Sequence, residues 1–217
     1  MLDNPKEPYS NKVADRNDHI KRILSSEKRC RWNLRMGREP FHRLCALIKD
    51  RDLLRDTRNC NVEEQLMRFL HIFGHNVRHR VLEGRYYRSL ETISRQFNEV
   101  LDAIVKLYKV LIADHGETIH NGKVQIQVTD DPRFSPYFKD CLGAFDGTHI
   151  IASVPENETI KFRSGRSNKI TQNILVACSF NLRFTYILAG WEGTAHDQYF
   201  LDDARHRLNA FVIPHGK

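Results

Sequence analysis

The apolar residues of this chain change their period partway along it. From Phe41 to Ile112 they recur at intervals of three and four, the spacing of one helix face. From Cys141 onward they gather into short runs rich in β-branched residues, bounded by turn formers. The polar breakers His115-Gly116, Asn121-Gly122 and Asp130-Asp131-Pro132 separate the two patterns. A helical part followed by a β-rich part is an α+β chain, with a boundary in the loop-rich stretch.

Within the helical part, Phe41, Leu44, Cys45 and Ile48 mark one apolar face. Asn61, with Glu64 three residues on, starts a second helix whose stripe is Val62, Leu66, Phe69, Leu70 and Phe73, and Gly74 and Asn76 lie where it ends. Ser89 caps a long helix with the stripe Ile93, Phe97, Val100, Ile104, Leu107 and Leu111. The segment Arg85 to Phe97 also fits the end of a helix-turn-helix. On that reading Arg88, Thr92, Arg95 and Gln96 are early, exposed positions that reach phosphates or base edges. An ordinary amphipathic helix fits the same residues.

Residues 1–35 carry many charges, few large apolar residues and no sustained period, which predicts a basic flexible arm. The expected organisation is therefore an arm over 1–35, a helical helix-turn-helix-like domain over 36–115, a linker over 116–137 and a β-rich domain over 138–217. Strands are expected at Cys141 to Ala152, Asn173 to Phe180 and Phe184 to Leu188, with a tight turn at Asn181. Helix spacing returns over Tyr199, Phe200, Leu201, Ala204 and Leu208, and Phe211 to Pro214 begins an extended segment.

The net charge of +7 is concentrated near the N-terminus. Residues 1–60 hold 15 Lys+Arg against 9 Asp+Glu, whereas residues 117–217 hold 11 of each. Such an excess suits a polyanion, because lysine and arginine on phosphates release counterions; a solvated basic face has the same composition. Lys21-Arg22 and Lys28-Arg29-Cys30-Arg31 read equally as a nuclear-import signal or as surface helix. No window approaches the roughly 20 apolar residues of a membrane span, and the charged first thirty residues do not read as a signal peptide. The five cysteines are scattered and never paired as Cys-x-x-Cys, which indicates buried thiols.

Two aspartates stand out. Asp146 lies in the strand-like run Leu142 to Ile151, where an ionised carboxylate must be paired, hydrogen-bonded or bound to a metal. Gly147 beside it admits a ligand, and His149, at an odd offset, points to the opposite face of a regular strand. Asp197 follows 51 residues later, after another apolar run, at a position that equally caps the following helix. Hard cations such as Mg²⁺ or Mn²⁺ prefer such carboxylates.

Four blocks together carry a family resemblance. Gly143-Ala144-Phe145-Asp146-Gly147-Thr148-His149-Ile150, the basic loop Lys161-Phe162-Arg163-Ser164-Gly165, Gln172 to Cys178, and Gly190-Trp191-Glu192-Gly193-Thr194-Ala195-His196-Asp197 follow in order. The chain resembles PIF/Harbinger-type transposases of the DDE superfamily, and the plant nucleases derived from them, from about residue 36 to the end. The resemblance implies an RNase H-like domain in which three acidic residues hold Mg²⁺ or Mn²⁺ and cut or transfer DNA strands. Asp146 matches the first catalytic Asp, and Asp197 matches an Asp assigned to metal binding.

The family's next acidic block would begin just after Lys217, with the last catalytic Glu further on, so the nuclease domain is expected to be incomplete and its catalysis impaired. The expected activity is a divalent-metal-dependent DNA endonuclease; the alternative is a catalytically inactive DNA- or protein-binding module of transposon origin. Expected partners are DNA, through Arg88, Arg95, Gln96, Arg163, Arg166 and Lys169, and a Myb-like DNA-binding protein, with the nucleus as the location. For the basic loop, a solvated surface is the competing reading.

Overall fold

Short polar side chains start most of the early helices by accepting hydrogen bonds from amides that the first turn leaves unpaired. In the computed structural model, which describes residues 11–112, 131–138, 141–165, 167–208 and 210–212, Asn11 caps α1 (Lys12–Leu24) and Ser26 caps α2 (Glu27–Leu34). α3 (Arg38–Asp50) follows. Asn61 then accepts from the Glu64 amide at 2.9 Å to open α4 (Val62–His75). After α5 (His79–Tyr86), Ser89 accepts from the Thr92 amide at 3.2 Å to open α6 (Leu90–Lys106). α4 ends on Asn76 in the left-handed conformation (φ 50°), as a short polar residue tolerates.

The chain divides into two compact units, Met1–Tyr108 and Lys109–Lys217, with the short α7 (Tyr108–Leu111) at the division. In the first unit Phe41, Cys45, Ile48, Val62, Leu66, Ile93 and Val100 are buried in one core, as the spacing predicts. Two expectations are corrected. Residues 12–34 are not a flexible arm but two helices whose Ile23, Cys30 and Leu34 enter that core. Their apolar positions are too few to show a period, and burial of Arg16 in place of an apolar residue hides the face further. Phe73, placed in the buried stripe of α4, is 71% exposed and stacks on Phe69.

The second unit is built on an antiparallel sheet of three strands in the order β1 (Gly143–Ile151), β2 (Thr171–Ser179), β3 (Phe184–Glu192). The β2–β3 turn places Leu182 at positive φ (61°), and the Ser179 amide donates to Arg183 O across it at 3.0 Å. Between β1 and β2 lie a 3₁₀ turn (Glu156–Glu158) and α8 (Thr159–Phe162); α9 (Asp197–His206) follows β3. β2 alternates strictly between buried and half-buried residues. Its Leu175 and Ala177 pack with Leu188 of β3, Phe200 and Ala204 of α9, and Phe211, so α9 covers one sheet face. Most of the expected 116–137 linker, and Ile213-Pro214, lie outside the described residues.

Candidate functional site

Asp146 sits mid-strand in β1, opposite Val176 of β2. Directly opposed residues share a face, so Asp146 and Val176 lie on the side away from Leu175, Ala177 and the covering helix. The carboxylate is exposed, which corrects the expectation of a buried one: β1 is the outer strand of the described sheet and its upper face carries no covering layer among the described residues. Asp146 Oδ1 accepts from the Gly147 amide at 2.8 Å, and among the described residues no Lys, Arg or His pairs with it.

His149 takes the other face, as its odd offset predicts, opposite Asn173. Its Nδ1 lies 3.0 Å from Thr171 Oγ1. There it lines a cleft of about 670 Å³ with Ser164, Gly165, Gly193, Thr194, His196 and Gln198. Gly193 is indispensable to this arrangement: a Cβ would lie 2.5 Å from Phe162 O and 2.6 Å from Thr171 O. With no side chain there, the Thr194 amide and hydroxyl both reach Lys161 O, at 3.3 and 3.0 Å. Two imidazoles, two hydroxyls and the N-terminal end of α9 thus meet at one opening. The odd offset of His149 gives its strand face, but the cleft itself is not legible in sequence, because the loop, strand and helix residues that form it are dispersed along the chain.

Asp197 is the first residue of α9, after His196 in extended conformation at the N-cap; its side chain lies outside the described residues. It therefore opens the helix that covers the face opposite Asp146's. Among the described residues no three His, Cys, Asp or Glu side chains are grouped to hold a metal ion. The residues present offer Asp146 as a single carboxylate ligand, which does not make a complete Mg²⁺ or Mn²⁺ site by itself.

The basic loop is ordered by its own backbone. Ser164 N donates to Lys169 O at 2.8 Å, and Arg163 Nη1 donates to Asn168 Oδ1 at 3.1 Å, with Asn168 at φ 54°. Arg163 and Lys169 are exposed, and Arg166 lies outside the described residues.

Of the three DNA-contact residues expected on the helical unit, Gln96 is buried and Arg88 is half-buried and engaged, a further correction. Gln96 is only 4% exposed and accepts from Arg68 Nη2, while Arg88 grips both oxygens of Glu64 at 2.9 Å and also donates to Asn59 O. Neither side chain can reach a phosphate without breaking these bonds. Arg95 is exposed and bridges Glu91 (3.2 Å) and Glu99 (2.9 Å) on its own helix.

What the sequence hid is a buried ionic cluster. Glu64 receives Arg68 and Arg88 and lies 3.6 Å from Arg16, while Arg68 also donates to Cys60 Sγ at 3.3 Å. Burial pushes the Glu64 carboxyl up, but hydrogen bonds from Arg88 and the charges of Arg68, Arg88 and Arg16 outweigh it and hold the group below its ordinary value. Burial and the nearby Arg85 guanidinium bring His71 down to about 4. One signal was available: Glu64 and Arg68 stand four apart on α4, a spacing at which opposite charges pair, although both lie away from its apolar stripe.

Residues 12–106 match a family described as a domain of unknown function, DUF8040. No curated protein and no solved structure matches the chain.

Proposed function

We propose that this chain is a transposase-derived, divalent-metal-dependent DNA-processing protein of the DDE type, in which Asp146 supplies the first carboxylate to Mg²⁺ or Mn²⁺. The observation that carries the reading is the placement of Asp146: an exposed carboxylate at the centre of the outer strand of an antiparallel β1-β2-β3 meander that is followed by a helix. An RNase H-like sheet begins in this way, and its metal site is reached from solvent. The order of the sequence blocks adds support, since three of them meet around the cleft through His149, Ser164 and His196. The ion needs ligands beyond Asp146, and Asp197, at the start of the helix on the opposite sheet face, is not brought beside it. DNA would lie along the exposed Arg163 and Lys169. The reading places the protein with DNA in the nucleus.

Incubation of supercoiled plasmid with the full chain and Mn²⁺, beside Asp146→Ala, tests this. Slow nicking by the native chain that disappears in the variant is expected. Equal nicking by both proteins would remove Asp146 from the reaction.

A second reading, a catalytically inactive binding module, is favoured by a different observation. Engagement of Arg88 and burial of Gln96 leave the helical unit with exposed aromatics, Trp32 at 63% and Phe73 at 71%, better suited to a protein such as a Myb-like factor than to phosphates. Neither reading involves a membrane, and no helix among the described residues is long and apolar enough to cross one.

A further inference from the structure

The α1, α4 and α5 helices meet over a group of polar atoms that lack hydrogen-bond partners among the described residues. Arg16 and His19 occupy one face of α1, Arg68 and His71 one face of α4, and Tyr86 closes α5. The Tyr86 ring stands edge-on to His19 at 5.1 Å and to His71 at 6.2 Å, with the Arg68 guanidinium 6.0 Å from its centre. Arg16 Nε, His19 Nε2, Arg68 Nε, His71 Nδ1 and the Tyr86 hydroxyl are all buried without a hydrogen-bond partner among the described residues, though Arg16 Nε is ion-paired with Glu64 Oε2 at 3.6 Å. Arg68 and Tyr86 are 2% and 0% exposed. A buried donor left unpaired loses its hydration for nothing, so several at one junction point to a bound species there.

Charge indicates its sign. Three guanidiniums, Arg16, Arg68 and Arg88, face the single carboxylate of Glu64, an excess of two positive charges in a desolvated interior. On α1, Asp15 is exposed, and Asp18 is exposed and paired with Arg22 at 2.7 Å. On α5, Arg85 adds a further cation at 2.9 Å from His71 Nε2. Water would satisfy the donors but leave the charge unbalanced.

We infer that the α1/α4/α5 junction binds a small inorganic anion, of which chloride is the commonest, held by the Nε–H group of Arg68 and the hydroxyl of Tyr86. Neutral imidazoles suit this environment: both His19 and His71 are held below their ordinary range, by burial first and then by the neighbouring Arg85.

Thermal unfolding of the full chain, followed by far-UV circular dichroism at constant ionic strength, compares sodium chloride with sodium gluconate, which supplies a bulky organic anion in place of chloride. A midpoint several degrees higher in chloride, rising to saturation, is expected; equal midpoints would mean that water alone fills the junction. Tyr86→Phe keeps the ring and removes the donor, so it should abolish the chloride dependence, and its persistence would overturn the assignment. Bromide soaked into crystals gives an independent answer should that variant not fold. An anomalous peak beside Arg68 and Tyr86 supports the site, and ordered density there without anomalous signal overturns it.

Discussion

At the scale of single residues, the helical unit depends on Glu64. One carboxylate that is 4% exposed offsets three arginines, and replacing it leaves those cations buried and unpaired. Glu64→Gln should therefore cost about 3–5 kcal/mol, measured by urea unfolding, whereas Glu91→Gln at the exposed Arg95 pair should cost well under about 1 kcal/mol. Comparable losses in the two variants would contradict the importance given to the buried cluster. His71 sets a pH dependence. Its folded pKa, about 4, is below the unfolded value near 6.5, so between the two the unfolded chain binds more protons. Stability contributed by neutral His71 is complete above about pH 6.5 and is lost as pH falls toward 4, with a slope approaching about 1.4 kcal/mol per unit. His71→Gln should flatten unfolding free energy over that window, and an unchanged slope would show that His71 does not govern it.

At the scale of elements, the first two helices are structural parts of the unit they precede. Ile23, Cys30 and Leu34 are each at most 3% exposed, so a chain beginning at residue 36 should lose the cooperative unfolding and much of the helical circular dichroism of its first unit. Retention of both would restore the picture of a dispensable arm. In the second unit Gly193→Ala should cost about 1–3 kcal/mol, because the added methyl meets backbone oxygens of Phe162 and Thr171 that cannot swing aside. A midpoint unchanged from the native chain would show that the loop yields.

The elements that were legible in sequence had a period or a cap. Asn61 and Ser89 start the helices they were expected to start, the first two strand runs fall within one or two residues of β1 and β2, and the third begins with β3 at Phe184 but stops four residues short of its end at Glu192. What sequence could not show was which polar residues turn inward. Arg16, Arg68, Arg88 and Gln96 are polar, and what makes their placement possible is a partner that the sequence does not mark: Glu64 for the three arginines and Arg68 for Gln96. Asp146 was misplaced in the opposite direction. The apolar run around it suggests burial, but β1 is an outer strand of the described sheet, with Ile150 and Ile151 exposed as well.

At the scale of the whole molecule, a charge of +7 and an exposed basic loop predict salt-sensitive association with duplex DNA. The slope of log K against log salt should decrease in magnitude by about 0.9 for each phosphate contact removed. Arg163→Ala with Lys169→Ala is thus expected to flatten it by about 1.8, and a slope unaffected by the double variant would move the contacts elsewhere. Mn²⁺ binding to the full chain, read from loss of the free-ion electron paramagnetic resonance signal, reports on the Asp146 carboxylate itself. Weak but measurable binding by the native protein is expected, with its loss in Asp146→Asn, a substitution at an exposed position that should leave the fold intact. Identical titrations for the two proteins would contradict that expectation.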